Sequence, residues 1–344
     1  MAQANQMVQA TSGKIPFRYG SRRRIQRVGF VPFQENTVAP PLQLPNVGYL
    51  AGLFLTWRGA INGATGTRAN APWDLIRRLR VNLNLGSASL VDVSGYGLYS
   101  LSILNGIDPT TSPYHVPTLG NLRWTLYVPI AANLGENFST GLILLQDPQI
   151  RATVEINWNL LSNVFNGTGL SAASGSGVEV YYVYWEVPNL DRVSQPPLVL
   201  HRIVQESQPI TQTGDNVYLV PRQGILLQML HIITINGNFS SLWDRATIRL
   251  NRVDSIAEIT PDVGGALQVL SVDLPAPNRL PTHVVPWDLF SASYKAGMGD
   301  LRDAIDTEAV TTTESVVTIS SSANLGANNN FLETVRRILQ PIQP

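Results

Sequence analysis

Two apolar runs constrain the fold of this chain more than any other feature of its sequence. The first run, NVGYLAGLFLTWRGAI, spans Asn46–Ile61, and the second, GILLQMLHIITI, spans Gly224–Ile235. Both are shorter than the roughly 20 apolar residues that a membrane-spanning helix requires. Continuous apolar runs of this kind, bounded by glycine, are typical of strands that are covered on both faces. We therefore predict one central strand in a core of packed sheets, used twice along the chain.

The segments that follow the two runs also match each other in order. Ser241–Ile259 corresponds to Trp73–Val93, with Arg245 at the position of Arg78. Later, the segment FLETVRRILQP at 331–341 takes the place of YYVYWEVPN in the first half. Taken alone, the apolar residues of this segment have helical spacing, but the repeat predicts a strand, which we adopt. Because matching positions lie about one domain length apart, the sequence predicts a duplicated domain rather than a solenoid.

Alternation of apolar and polar residues predicts that most of the chain is β-structure. Arg78–Leu85 (RLRVNLNL) and Thr153–Asn159 each place their apolar side chains on one sheet face. Gly177–Pro188 is dense in Tyr and Val, which favour strands. Long polar connections separate these segments. The predicted fold class is all-β, with two tandem eight-stranded jelly rolls (a double jelly roll), a short helix in each, and an N-terminal arm.

Changes of composition mark the expected domain limits. The segment NLDRVSQPP, close to the chain midpoint, is polar and ends in two prolines. The predicted organisation is a basic N-terminal arm at 1–28, a first jelly roll at 29–190, a linker at 191–197, and a second jelly roll with a C-terminal tail at 198–344. The predicted helices are FSTGLILLQ at 138–146 and MGDLRDAID at 298–306.

The arm is strongly basic, although the formal net charge of the whole chain is zero. No acidic residue precedes Glu35. The basic residues of the arm, which form the candidate contact site, are Lys14, Arg18, Arg22, Arg23, Arg24 and Arg27. One interpretation is a disordered tail. The functional alternative is electrostatic contact with an anionic surface, either lipid headgroups or packaged nucleic acid.

Few residues are arranged for catalysis or metal binding. The chain has no cysteine, and its four histidines lack the short spacing of a metal-binding pair. Asp300, Asp303 and Asp306 recur at a spacing of three, which suits a cation site or, as we expect, a solvated helix face. His231 lies within an apolar strand, where a core or interface position is expected. We predict no catalytic residues, no metal, no cofactor and no enzyme activity.

Most of the tryptophans fall in predicted strands. These are Trp57, Trp124, Trp158, Trp185, Trp243 and Trp287. We interpret them as anchors of the core or of a subunit interface. The alternative, a platform for stacking sugars, stays open because carbohydrate-binding sandwiches also use aromatic residues.

Specific core residues resemble those of tectivirus-type major capsid proteins, the coat proteins of tailless icosahedral phages with an internal membrane. Leu44–Ile61 is similar to the first core strand of that family, including its Pro and Asn-Val-Gly. The order Leu126–Pro129, then Thr140-Gly141, then a strand at Ala152–Asn157 also resembles the family. The similarity is clearest over residues 30 to 190 and is architectural in the second half.

The resemblance implies a structural role. Members form homotrimers that serve as pseudo-hexagonal capsomers of an icosahedral shell, so the implied location is the virion, with synthesis in the host cytoplasm. The implied partners are neighbouring capsomers, a vertex (penton) protein and, through the arm, the surface of an internal lipid membrane. Sequence-specific nucleic-acid binding is not expected.

Two other classes of function stay open at this stage. One is a receptor- or carbohydrate-binding β-sandwich, such as a spike protein or lectin. The other is a glycanase-like enzyme on paired jelly rolls, which would need two carboxylates at a cleft.

Overall fold

The chain forms two compact units. The computed structural model describes residues 14–15, 17–84, 88–133, 139–188, 191–196, 199–272, 280–289, 304–326 and 329–341. The first unit comprises Met1–Tyr99, Asp108–Arg202 and Pro341–Pro344, and the second comprises Ser100–Ile107 and Ile203–Gln340.

The first unit consists almost entirely of strands. In chain order its elements are α1 (Phe17–Gly20), β1 (Arg23–Pro32), β2 (Leu42–Gln43), β3 (Tyr49–Gly59), β4 (Ile61–Thr67), β5 (Ile76–Leu83), β6 (Ala88–Val93), α2 (Gly95–Leu104, which continues into the second unit), β7 (Leu122–Pro129), β8 (Ala132–Asn133), β9 (Ser139–Thr140), β10 (Ile143–Leu144), β11 (Ala152–Trp158), β12 (Phe165–Ala172) and β13 (Gly177–Trp185).

Two antiparallel groups of strands enclose the core of the first unit. One has the order β1-β13-β3-β10, with β7 also paired to β3, and the other has the order β6-β5-β11-β2. Side chains alternate along each strand, which buries Leu53, Leu55 and Trp57 of β3. The ring of Trp57 meets that of Trp158 on β11 edge to face, with centroids 5.9 Å apart. Eight strands (β1, β2, β3, β5, β6, β7, β11 and β13) therefore make a jelly roll.

The second unit has the same character. Its elements are β14 (Val199–Pro209), β15 (Gly214–Val220), β16 (Ile225–Ile235), β17 (Asn238–Phe239), β18 (Trp243–Leu250), β19 (Asp254–Ile259), α3 (Pro261–Val272), β20 (Val284–Asp288), β21 (Ile305–Asp306), β22 (Thr313–Ile319) and β23 (Phe331–Pro341). One group of strands has the order β14-β23-β16, with β17, β20 and β21 paired to β16, and the other has the order β15-β22-β18-β19. Met229 and Ile233 of β16 share one apolar cluster with Ala246 and Ile248 of β18.

The predicted duplication is confirmed at the level of strand pairing. The central strands β3 and β16 each have 11 residues and coincide with the two apolar runs. In the first half, β3 pairs with β13, the last long strand, and also with β7 and β10. In the second half, β16 pairs in the same way with β23, the last long strand, and also with β20 and β21. The groups β2-β11-β5-β6 and β15-β22-β18-β19 also correspond strand by strand. The strand at 331–341, which the repeat favoured over a helix, is present.

The predicted positions of the helices are wrong where the structure describes them. The segment at 138–146 contains β9 and β10, and Gly141 between them has φ +83, which an α-helix does not allow. In the candidate helix at 298–306, residues 298–303 lie outside the described residues, and Ile305–Asp306 form β21. The main helices are α2 and α3, each of which follows the fourth strand of the corresponding group. Ser94 caps α2, since its Oγ accepts from the Gly97 N–H at 3.0 Å.

One short piece of the first half of the sequence is built into the second unit. Ser100–Ile107 is largely buried there. The Oδ1 atom of Asn105 accepts from Gln228 Nε2 at 3.0 Å and from Arg337 Nη1 at 3.2 Å. The other limit between the units, after Arg202, falls inside β14.

Candidate anion-contact surface

The N-terminal segment packs against the first unit within the residues that the structure describes. Phe17 of α1 is 1% exposed and contacts the rings of Tyr49 and Trp185 edge to face, at centroid distances of 5.2 and 6.0 Å. The backbone N–H of Ile15 donates to the carbonyl oxygen of Arg192 at 2.8 Å. An apolar anchor therefore holds the described part of the segment 1–28 on the first unit.

The first strand begins inside the predicted arm. β1 starts at Arg23, whereas the sequence pattern predicted that β-structure starts at Val28. Arg23 pairs with Trp185 of β13, and Arg27 pairs with Tyr181. β1 is the edge strand of its sheet, so its side chains can stay in water while its backbone pairs on one side. Basic residues are compatible with such a strand, which is why charge alone did not mark its beginning.

Two of the candidate arginines are paired with carboxylates of the same chain. Arg24 Nε donates to Glu186 Oε1 at 2.8 Å, and this hydrogen bond raises the pKa of Arg24. Arg27 Nη2 lies 3.5 Å from Glu179 Oε1, and Arg58 Nη2 lies 3.5 Å from Glu179 Oε2. These three arginines are exposed, so each pair adds little stability, but the pairing reduces the positive charge that they offer to a ligand.

The unbalanced charge therefore lies on the residues just before these pairs. Arg22 and Arg23 are exposed, and no carboxylate of a described residue lies within 4.0 Å of either guanidinium. Lys14 is exposed, but it has an interaction partner and is not counted among these unbalanced charges. Arg18 lies in α1, but its side chain is outside the described part of the structure. Exposed guanidinium groups suit phosphate, which accepts two parallel N–H donors from each.

Exposed apolar side chains accompany these cations. Tyr19 is 68% exposed, Ile15 is 50% exposed and Ile25 is 54% exposed. A basic segment that also presents aromatic and aliphatic groups suits the boundary between headgroups and acyl chains better than it suits nucleic acid.

Among the described residues, the structure brings no others singled out in the sequence together into a second site. Asp300 and Asp303 lie outside the described residues. Asp306 is exposed on β21, where its Oδ1 accepts from the Glu308 N–H at 3.0 Å. His231 is fully buried between Thr334 and Ser315, as expected of a core histidine.

The tryptophans are anchors of the core. Trp57, Trp124 and Trp158 are at most 1% exposed, and Trp243 and Trp287 are nearly as buried. Trp185 is half-buried and covers Phe17. These residues present no stacked aromatic surface to solvent.

Within the described ranges, we find no group of three or more His, Cys, Asp or Glu residues that could hold a metal ion. None of the described helices combines the length and apolar character needed to cross a bilayer.

Sequence reasoning missed Glu179 and Glu186, the carboxylates that neutralise Arg27 and Arg24. They lie on or just after β13, more than 150 residues from their partners, and only the antiparallel register of β1 and β13 brings them alongside. Their position opposite a basic edge strand could have been read only after that pairing was known.

The two units together define a double jelly roll, and solved structures with the same architecture support this assignment. The atomic structure of Sulfolobus Turreted Icosahedral Virus matches with a TM-score of 0.68 and 12% identity, over 93% of this chain and 91% of that chain. The PBCV-1 virus capsid matches with a TM-score of 0.62 and 11% identity, over 93% and 94%. The major capsid protein from Bacteriophage PM2 matches with a TM-score of 0.57 and 10% identity, over 93% and 97%.

No protein-family model matches the chain, and no curated protein does. The predicted double jelly roll is thus confirmed as a fold, and the narrower tectivirus-type resemblance stays a prediction.

Proposed function

We propose that this chain is the major structural subunit of an icosahedral viral coat. The observation that carries the proposal is the duplication, since two jelly rolls with the same strand pairing follow each other in one chain. The solved structures with this architecture include the PBCV-1 virus capsid and the major capsid protein from Bacteriophage PM2. In this proposal, 29–190 and 198–344 are the two repeated domains, and the virion shell is where the protein resides.

A duplicated domain has a geometric use in a shell. Three subunits with two similar domains each present six similar blocks around a threefold axis, which can tile as pseudo-hexagonal capsomers. The partners are then two further copies of the chain, neighbouring capsomers and a vertex (penton) protein. The subunit would be made in the host cytoplasm and would act without a cofactor.

The purified protein is expected to be a homotrimer. Light scattering coupled to size exclusion should give a mass about three times the chain mass of 37.6 kDa, held on dilution because coat trimers bury large apolar interfaces. A monomer that persists at high protein concentration would count against the coat role. In particles from the source, this chain should dominate the stained protein, whereas a spike or lectin would be a minor band.

We further propose that the basic N-terminal segment contacts the anionic headgroups of an internal membrane. The exposed charges of Arg22 and Arg23 and the neighbouring Tyr19, Ile15 and Ile25 support this assignment. Deleting residues 1–24 would not test it cleanly, because the deletion also removes the buried anchor Phe17.

Replacing Arg22 and Arg23 together with serine is expected to weaken binding to vesicles that contain anionic lipid. At about 1 kcal/mol for each cation near the membrane surface, the loss is about 30-fold in partition coefficient, measured by vesicle flotation at low salt. Arg68 and Arg77, also exposed, provide a control with the same change of charge, and their double serine variant should bind like the parent. Equal losses in both variants would show that binding follows net charge rather than this segment.

A further inference from the structure

The core of the second unit contains a charged residue that the coat function does not explain. Arg336 of β23 has a relative exposure of 0%. Residues 332, 334, 336 and 338 point to the same side of β23, and Leu332 and Ile338 belong to the apolar cluster between the two groups of strands. The guanidinium of Arg336 therefore points into the core rather than toward solvent.

Arg336 has one carboxylate partner among the described residues. Its Nη2 donates to Oε1 of Glu206 on β14, and Tyr218 of β15 donates its hydroxyl to Oε2 of the same carboxylate at 2.6 Å. The Cζ atom of Arg336 lies 5.9 Å from the centre of the Tyr218 ring. Nε and Nη1 of Arg336 are buried without an acceptor among the described residues, so Glu206 alone balances the charge.

The carboxylate that balances this charge is accessible to solvent. The side chain of Glu206 is 42% exposed, whereas that of Arg336 is 0% exposed. The single counter-charge of the buried guanidinium therefore lies at the edge of the core. Removing that counter-charge would leave the guanidinium in the core unbalanced, which is far less favourable than an intact buried pair.

A buried histidine lies beside this pair. The ring of His231 on β16 meets the ring of Tyr218 edge to face, with centroids 5.8 Å apart. His231 Nδ1 is hydrogen-bonded to Thr334 Oγ1 at 2.8 Å, and Nε2 is hydrogen-bonded to Ser315 Oγ on β22 at 2.7 Å. The titratable or charged groups that face one another here are Glu206 from β14, Tyr218 from β15, His231 from β16 and Arg336 from β23.

Burial favours the uncharged form of two of these groups. It lowers the pKa of His231 to about 3, and it raises the pKa of Tyr218. Because the folded pKa of His231 lies below its ordinary value of about 6.5, its contribution to stability is complete above that pH. The contribution is lost as the pH falls from there toward the folded pKa, by about tenfold in the folding equilibrium constant per pH unit.

We propose that this polar seam, formed by Glu206, Tyr218, His231 and Arg336, makes the second unit responsive to acid. His231 and Arg336 both face the ring of Tyr218, so protonation of His231 adds a second cation beside the buried charge of Arg336. This event acts against the packing of β14 and β23 on β15 and β22. The proposal rests on the geometry of the second unit alone and does not depend on a coat function.

Hydrogen exchange of the full-length protein, read by mass spectrometry, tests this proposal. Between neutral pH and about pH 4.5, and after correction for intrinsic exchange rates, β16 and β23 should lose about 100-fold in protection from His231 alone. Protection of these strands that is unchanged at about pH 4.5 would overturn the proposal.

Matched variants separate acid response from simple loss of packing. Glu206→Gln removes the counter-charge of Arg336 and should lower the protection of β23 already at neutral pH, and adding Arg336→Met should restore it. In Glu206→Gln/Arg336→Met combined with His231→Gln, protection should no longer depend on pH over this range. If Glu206→Gln does not fold, Arg336→Met alone still tests the proposal, because this variant should keep β23 protected from exchange to a lower pH than the parent.

The exposed pair Arg24 and Glu186 provides the control. Arg24→Met/Glu186→Gln removes an equivalent ion pair from solvent and should leave the pH dependence of β16 and β23 unchanged. If the seam variants lose protection at the same pH as this control, the seam is not the acid-responsive element.

Discussion

Replacing Gly224 with alanine is expected to lower the free energy of unfolding by about 2–5 kcal/mol. Gly224 directly precedes β16 and has φ +91, a region that residues with a side chain rarely adopt. A Cβ atom there would overlap the carbonyl oxygen of Leu339 on β23. That oxygen belongs to the backbone of a paired strand, so it cannot move aside without disturbing the pairing of β16 with β23.

The first unit carries the same device at Gly48, and an equal loss is expected for Gly48→Ala. Gly48 directly precedes β3, has φ +67, and a Cβ atom would overlap the carbonyl oxygen of Trp185 on β13. The carbonyl oxygen of each glycine also accepts a hydrogen bond from a residue that directly follows a short strand of the same unit. Gly48 accepts from the Leu145 N–H at 2.9 Å, and Gly224 accepts from the Thr307 N–H at 3.0 Å. Both repeated domains thus have a glycine with positive φ before the central strand, and in both a backbone oxygen lies where a Cβ atom would be.

Urea unfolding followed by circular dichroism measures both losses, as a lower midpoint at unchanged slope. Gly120→Ala is the control, since no atom lies within 4 Å of the position that its new methyl group would take and its φ is not positive. We expect that control to stay within about 0.5 kcal/mol of the parent. Should Gly48→Ala or Gly224→Ala unfold at the midpoint of Gly120→Ala, the close approach of the two backbones would be disproved.

These glycines also show which parts of the fold can be predicted from the sequence. Glycine at the start of each apolar run, followed by residues that need cover on both faces, is a local signal, and it located β3 and β16 correctly. The order of strands after each run is also local, so the duplication was visible without coordinates. The ambiguous spacing of 331–341 was decided by the repeat, because pairing with β16 outweighs intrinsic preference.

The positions of the helices could not be predicted from local sequence patterns in this way. α2 has the sequence GYGLYSLSIL, with two glycines at its start, and most of its side chains are buried. A helix that is covered on most sides lacks the apolar stripe that marks helices at a surface. Its first turn is instead stabilised by Ser94 and by Asp74, whose Oδ1 accepts from the Tyr96 N–H at 3.0 Å.

Long-range partners were the other limit. The positive charge of the N-terminal segment was predicted from composition, but the pairing of Arg24 with Glu186 depends on strand register. The same holds for Asn105, which bonds to residues more than 120 positions away in the second unit. The sequence therefore indicated the kind of candidate surface, whereas the structure shows which of its charges are already balanced.

Replacing Trp57 with alanine is expected to cost the first unit about 3–5 kcal/mol, the range for a large aromatic residue lost from a packed core. Trp57 is 0% exposed. Its ring stacks on that of Trp124 at a centroid distance of 6.1 Å and meets that of Phe33 at 5.5 Å. Removing the ring opens a cavity between strands of both groups, because Trp158 on β11 packs against its other side.

Trp57→Phe keeps an aromatic ring in the core but removes the indole N–H and part of the ring volume. The Trp57 Nε1 atom is buried without an acceptor among the described residues, so losing it should not break a hydrogen bond. We therefore expect Trp57→Phe to cost about 1–2 kcal/mol, less than Trp57→Ala, because it leaves only the smaller cavity between an indole and a phenyl ring. Tyr114→Ala, at a tyrosine that is 79% exposed, is the surface control and should leave the urea midpoint unchanged. A loss in Trp57→Phe as large as that in Trp57→Ala would contradict the prediction, because it would mean that the ring retained by Phe does not help to hold the two groups of strands together.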